Sequence, residues 1–285
     1  MDEREWRRFL AEFHHTRPAI TERLLHHADS DPYAWVADPL RPVRGVVLDL
    51  ACGSAPTRTH LPGARWVGLD ASARELGFAA SRGRGPLVRG EAAALPFARR
   101  SVAGVCAAMC LQVVTPLDAV LAEVRRVLRR GGLVATLTPA RLGSSPVKLW
   151  GWLRVLRSVG VLRLPWPNPQ ACDRAADVLR AHGFAVVSDE RRVFRLDLST
   201  AAAASLLLDS LHLPGLGADR LAEAEAALSG WARPGRSLPL PLRRVVARLP
   251  ERLDAAGSED EEEAEADEDA ADRAVRGAEE ERPAA

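Results

Sequence analysis

Long apolar runs are missing from this chain. Nothing in it approaches the roughly 20 consecutive apolar residues of a membrane span, so no spanning segment is expected. The amino-terminal stretch MDEREWRRFLAEFHH is charged and lacks the apolar core of a secretory signal, which points to a cytoplasmic protein. Cysteine is sparse. The four at positions 52, 106, 110 and 172 have neither the pairing nor the nearby histidines of a zinc site, so they read as small buried thiols and no metal is expected. Lysine is almost absent: Lys148 stands alone, and the other cations are arginines interleaved with alanine, leucine and acids. Such a spread suits ordinary surface arginines better than a basic stripe, so a nucleic-acid partner is not expected.

What charge there is divides unevenly. The formal net charge is +1, yet from Asp254 onward there are 14 acidic and 3 basic residues, a net of −11 that leaves +12 for residues 1–253. Segment 254–285 has one valine and no other large apolar side chain, so burial cannot offset its ordering entropy and a disordered acidic tail is expected. The rest of the 285 residues is long enough for one large α/β domain with appendages.

Strand and helix patterns alternate along that body. Residues 3–14 and 18–28 read as helices separated at Thr16-Arg17-Pro18, forming a cap with its connection over residues 1–43. GVVLDLA, ARWVGLD, GPLVRGE, SVAGVCAAM and GLVATLTP read as short apolar strands, the kind buried on both faces of a parallel sheet. PLDAVLAEVRRVLRRGG keeps helical apolar spacing between a proline and a glycine pair. This alternation implies a doubly wound, mostly parallel sheet over residues 44–250. Helical insertions are expected at 141–170, with Trp150, Trp152 and Trp166, and at 199–235; either could form a lid. AVVSDERRVFRLDL reads as an edge strand or hairpin and SLPLPLRRVVARLP as a last strand.

The turn after the first strand is short of glycine. VVLDLACGSAP places Ala51, Gly53 and Ala55 after Asp49, a spacing that fails the Gly-x-Gly-x-x-Gly of a dinucleotide site and counts against a nicotinamide-dependent oxidoreductase. A strand-to-helix turn still presents backbone N–H groups to a polar ligand, with Ser54 as a candidate helix cap and Pro56 in the first turn.

At these residues the chain resembles the class I S-adenosylmethionine-dependent methyltransferases, in the group of small soluble methyltransferase type 11-like enzymes. VLDLACGSAP resembles the family's first motif, VGLDAS the second, with Asp70 lying 21 residues after Asp49, and GEAAALPF the adenine-side motif, with Glu91 for the usual Asp. SVAGVCAAMCLQVV and EVRRVLRRGGLVATLTP are similar to the segments that follow, so the likeness runs over about residues 44–140.

The resemblance implies a seven-stranded Rossmann-like sheet and S-adenosyl-L-methionine as cofactor. Carried over by position, Asp49 would orient the turn and the ammonium, and Ala51 and Gly53 would let the backbone approach the methionine part. Asp70, with the adjacent Ala71, would bind the ribose, Glu91 and Ala92 would meet the adenine edge, and the Ala107 carbonyl would receive the amino group. Helices over the cofactor mouth would bring His14 and His15 as candidate bases and Arg17 as a carboxylate clamp, and Gln112 would face the pocket. Two departures stand out: Ala55 for the usual third glycine, and Val102-Ala103-Gly104 in place of an aromatic-Asp opening of the fourth strand. They support a noncatalytic cofactor-binding or regulatory protein as the alternative. AAMCLQVVTP lacks the Asn/Asp-Pro-Pro-aromatic turn of nucleobase amino methylation, and an RNA methyltransferase is a weaker alternative. The expectation is O- or N-methylation of a small molecule, hydrophobic or aromatic in view of the tryptophan-bearing insertion.

Overall fold

The computed structural model describes residues 1–140 and 146–251; residues 141–145 of the expected insertion and the expected tail at 254–285 lie outside the described residues. One compact unit spans Met1–Leu249, and of the second, Pro250–Ala285, only Pro250 and Glu251 are described.

Helices α1 (Glu3–Thr16), α2 (Ile20–Leu25) and α3 (Pro32–Ala37) precede the sheet. A reciprocal capping box starts α1, with the Asp2 carboxylate accepting the Glu5 N–H at 2.8 Å. Then come β1 (Val46–Leu50), β2 (Arg65–Asp70), α4 (Ala73–Ser81), β3 (Leu87–Arg89), β4 (Val102–Ala108), α5 (Leu117–Val127) and β5 (Leu128–Pro139). The remainder is α6 (Pro146–Ser158), α7 (Gln170–Asp173), α8 (Ala175–Ala181), β6 (Ala185–Asp197), α9 (Ala201–Asp209), α10 (Ala218–Ser229) and β7 (Ser237–Arg248).

Among the described residues the sheet has seven strands in the order β3-β2-β1-β4-β5-β7-β6. Only β7 runs antiparallel to its neighbours. The architecture is thus the expected Rossmann-like one. Apolar side chains on both faces of the inner strands explain the placement: Val47 and Cys106 enter one hydrophobic cluster, Leu48, Leu50, Val105 and Ala107 the other. Gly68 in β2 is dictated by close packing, since a Cβ there would lie 2.5 Å from the Trp66 ring and 2.8 Å from the Cys52 sulfur. From β1 the chain winds outward through β2 and β3, then returns to β4 on the other side. The crevice beyond the carboxyl ends of β1 and β4 is therefore the switch point where open α/β sheets take ligands.

Two local expectations change, and a third is decided between its alternatives. The turn after β1 leads into a short 3₁₀ segment, Pro56–His60, preceded by Ala55 rather than by a Ser54 cap, because the Ser54 hydroxyl donates to Glu22 instead. AVVSDERRVFRLDL is a single edge strand and not a hairpin. The tryptophans of 141–170 do not close over the sheet end: the Trp152 indole donates to the Pro239 carbonyl at 2.6 Å, Trp150 is 64% exposed, and no described residue of this segment lines the crevice.

Candidate active site

The carboxyl ends of β1, β2 and β4 open into a cavity of about 510 Å³, within the usual range of small-molecule sites, roughly 300–1,000 Å³. Its floor is the turn after β1, which reverses through alternate left-handed residues: Ala51 at φ 50°, Gly53 at 53° and Ala55 at 58°. Each non-glycine residue in that region costs about 1–2 kcal/mol, so the turn must be held from outside. Cys52 N–H donates to the Leu69 carbonyl at 2.9 Å, and Gly53 N–H donates to Asp70 Oδ2 at 2.8 Å. A Cβ on Gly53 would meet nothing nearer than Glu75 at 3.8 Å, so the protein itself leaves room there; the bare position serves the left-handed turn and the cavity it lines. Ala55 is different. Its methyl group is fully buried in the hydrophobic core and does not line the cavity, so the alanine adds no bulk there.

Four of the five acidic side chains along the cavity have distinct partners. Glu22 receives a bidentate Arg84 guanidinium at 2.7 and 2.8 Å; burial raises its carboxyl, but the Arg84 and Ser54 hydrogen bonds outweigh that and hold it below the ordinary value. Asp70 accepts the Gly53 and Ser72 N–H groups, each at 2.8 Å, while burial still raises its carboxyl. Glu75, 3% exposed, accepts the Ala19 N–H at 2.8 Å and lies 2.9 Å from His14 Nδ1. Asp49, 1% exposed at the end of β1, receives only the Thr57 hydroxyl, and among the described residues no cation pairs with it. Burial, with a smaller contribution from Asp70, pushes its carboxyl up to about 7. Asp49 is thus a cavity-lining carboxylate that lacks a cation.

The cavity's cover is α1, which presents Arg7, Leu10, Ala11, His14 and His15 to it, the i, i+3, i+4, i+7, i+8 stripe of one helix face. An adjacent stripe, Trp6, Phe9 and Phe13, anchors the helix, and the Trp6 indole donates to the Val113 carbonyl at 2.6 Å. His212, beyond α9, lies with ring centroids 4.4 Å from Phe13 and 5.7 Å from His14. Burial pushes its imidazole down to about 3, so it stays neutral.

Of the residues singled out from the sequence, His14, His15, Asp49, Ala51, Gly53, Asp70, Ala71, Glu91 and Ala92 line this one cavity. Three do not. Arg17 caps α1 and stacks over the Phe13 ring at 5.3 Å. Ala107 is buried in the β4–β5 ladder, and Ala108 and Met109 line the cavity in its place. Gln112 is turned away because the chain reverses at left-handed Met109, and its amide donates to the Met109 carbonyl at 2.7 Å. Sequence reasoning missed Glu22, Glu75, Thr57 and His212. Ser72-x-x-Glu75 reads as a helix-capping pair, but its carboxylate is directed to α1 instead, and only the Ser72 half of the cap forms.

Residues 48–136 match the family model for a methyltransferase domain. Sequence comparison with curated proteins finds no match. Among solved structures the chain is similar to a Bacillus halodurans protein assigned as a methyltransferase, at 16% identity over 77% of this chain and 99% of that one, TM-score 0.51. YcgJ from Bacillus subtilis matches at 17% identity over 78% and 99%, TM-score 0.51. The [4+2]-cyclase SpnF matches at 20% identity over 76% and 79%, TM-score 0.51. These likenesses share the fold, and the matched domain spans β1 to β5 with the turn, the strand-end acids and the β4 exit. Residues 48–136 thus carry a methyltransferase domain, set in a fold that the solved methyltransferase-like structures share.

Proposed function

We propose that the chain transfers a methyl group from S-adenosyl-L-methionine to a small molecule, at oxygen or nitrogen, by direct displacement. The observation that carries this reading is Asp49: a buried, cavity-lining carboxylate without a cation fits a ligand that brings its own positive charge. When bound, that cofactor supplies an electrophilic methyl carbon. Asp49 would face the charged methionine end. Asp70 is fixed by two backbone N–H groups and keeps lone pairs for ribose hydroxyls. Glu91 and Ala92 line the same cavity and would meet the adenine edge.

The acceptor side supports a small molecule with an apolar portion, since Leu10, Met109, Val113 and Val114 line it. Enclosure by α1 favours catalysis over passive binding, because a methyl group passes in line only to an acceptor held and desolvated beside it. The noncatalytic alternative loses one of its supports, as the Ala55 methyl points into the core. A neighbour with a different reaction, the [4+2]-cyclase, shares the fold, so the reading rests on the carboxylates and not on the architecture.

The test is transfer itself. The full chain is incubated with methyl-labelled S-adenosylmethionine and panels of aromatic and aliphatic hydroxyl and amino compounds. Label recovered in a small-molecule acceptor, and lost in Asp49→Asn, supports the reading. Label recovered only in RNA, or in none of the panel while the cofactor binds, overturns it.

A further inference from the structure

We propose that Glu75 and His14 form a carboxylate–imidazole pair that removes the acceptor's proton, which makes the acceptor a hydroxyl-bearing small molecule. This deepens the methyl-transfer reading and rests on it. The two residues lie 61 positions apart, on α4 and α1, and meet at 2.9 Å between Glu75 Oε1 and His14 Nδ1. The other carboxylate oxygen is taken by the Ala19 N–H at 2.8 Å, so Glu75 is fixed at both ends. A carboxylate only accepts hydrogen bonds. The neutral His14 ring must therefore carry its proton on Nδ1 and leave the Nε2 lone pair free. Among the described residues Nε2 has no hydrogen-bond partner, and the ring lines the cavity with its side chain 24% exposed.

The surroundings suit a positioned base. The Trp6 indole bond to Val113 ties the start of α1 to the segment after β4, and Glu75 on α4 holds the other end through His14 and through Ala19 just beyond the helix. Glu75 also lies against Gly53, where an added Cβ would approach it to 3.8 Å, so the pair stands beside the cofactor turn. Asp70 is close enough to His14 for the two to interact electrostatically, and His212 is the other titratable ring packed on it. His212 is buried and neutral, and of the two rings it is His14 that meets a carboxylate.

A hydroxyl gains most from such a pair, because a neutral alcohol or phenol is a weak nucleophile until its proton leaves, whereas a free amine attacks with its own lone pair. As the acceptor oxygen bonds to the methyl carbon, the carbon–sulfur bond breaks with its electron pair going to sulfur. The hydroxyl proton passes to His14 Nε2. The imidazolium so formed is held by the Glu75 carboxylate and later releases that proton to solvent, the division of roles seen in hydrolase triads.

Glu75→Gln gives a test with a readout besides activity. Ala19 N–H can only donate, so the glutamine oxygen must face it and the amide NH₂ must face His14 Nδ1; the ring proton then moves to Nε2. Histidine ¹⁵N NMR on the full chain, at a pH where the ring is neutral and with His14→Gln to assign the signal, should show Nδ1–H in the native protein and Nε2–H in the variant. With a hydroxyl acceptor, both variants should lower kcat by about 10²–10⁴-fold, the usual range for a general base, with S-adenosylhomocysteine affinity changed less than about threefold. A native Nε2–H tautomer, an unmoved tautomer in Glu75→Gln, or unchanged kcat in His14→Gln would overturn the proposal. If the native chain shows the Nδ1–H tautomer but binds no S-adenosylhomocysteine, the pair stands as geometry while the methyl-transfer reading falls, and its role as a base falls with it.

Discussion

Replacing Asp49 by asparagine should stabilise the ligand-free protein, and the gain should grow with pH. Burial at the end of β1 raises this carboxyl from 3.8 to about 7 in the folded chain. Between those values the folded state holds a proton that the unfolded state has released. The native chain's stability from this group is therefore fully present below pH 4 and is lost as pH rises through 7. A shift of about three units at about 1.36 kcal/mol each sets a ceiling of about 4 kcal/mol. His212 acts in the opposite sense: its imidazole is lowered from 6.5 to about 3, so its contribution is lost as pH falls below 6.5. The two slopes oppose over pH 4–6.5, so the native profile alone does not isolate Asp49 and the variant-minus-native difference is the informative quantity. Urea unfolding of both proteins at pH 4, 5, 6, 7 and 8 measures it. The expected result is near equality at pH 4, with the variant ahead by up to about 4 kcal/mol at pH 8. A difference constant over that range within about 0.5 kcal/mol would show that Asp49 is solvated or paired, and would remove the main argument for a cationic ligand.

Three other outcomes follow from the same contacts. Asp70→Ala should weaken S-adenosylhomocysteine binding by about 1–3 kcal/mol in calorimetry, since it removes the hydroxyl acceptor and frees the Gly53 N–H; unchanged affinity would refute that role. Ala55→Gly should leave cofactor affinity unchanged and move stability by no more than about 1 kcal/mol, the relief of a left-handed alanine opposing the loss of a buried methyl group; a tenfold change in affinity would show that the residue reaches the cavity. Arg84→Met strands the Glu22 carboxylate, whose side chain is 6% exposed, and should cost about 3–5 kcal/mol in denaturant unfolding, whereas Arg84→Met with Glu22→Leu should recover much of it.

The sheet was legible because its signals are local. Apolar runs ending in Asp49 and Asp70, with a glycine-poor turn between, are enough to mark the proposed cofactor end, and those residues do line one cavity. The proposed acceptor end was harder to read because it is assembled across distance. His14 was visible as a histidine on a helix, but nothing near it in sequence points to Glu75, and Ser72-x-x-Glu75 has a complete local explanation as a cap. Ala55 and Gln112 failed for a different reason. Their spacing in the motif is right, yet left-handed backbone at Ala55 and Met109 turns one side chain into the core and the other back onto its own loop. Side-chain direction at such turns depends on φ, which residue type hardly reveals outside glycine.

The most direct test is calorimetric titration of the full chain with S-adenosylmethionine, S-adenosylhomocysteine and NAD in turn. Both sulfur compounds should bind one site per chain, compete with each other, and lose affinity in Asp70→Ala, while NAD gives no heat of binding. Failure of both sulfur compounds to bind at millimolar concentration, or binding of NAD at the same site, would contradict the methyl-transfer reading.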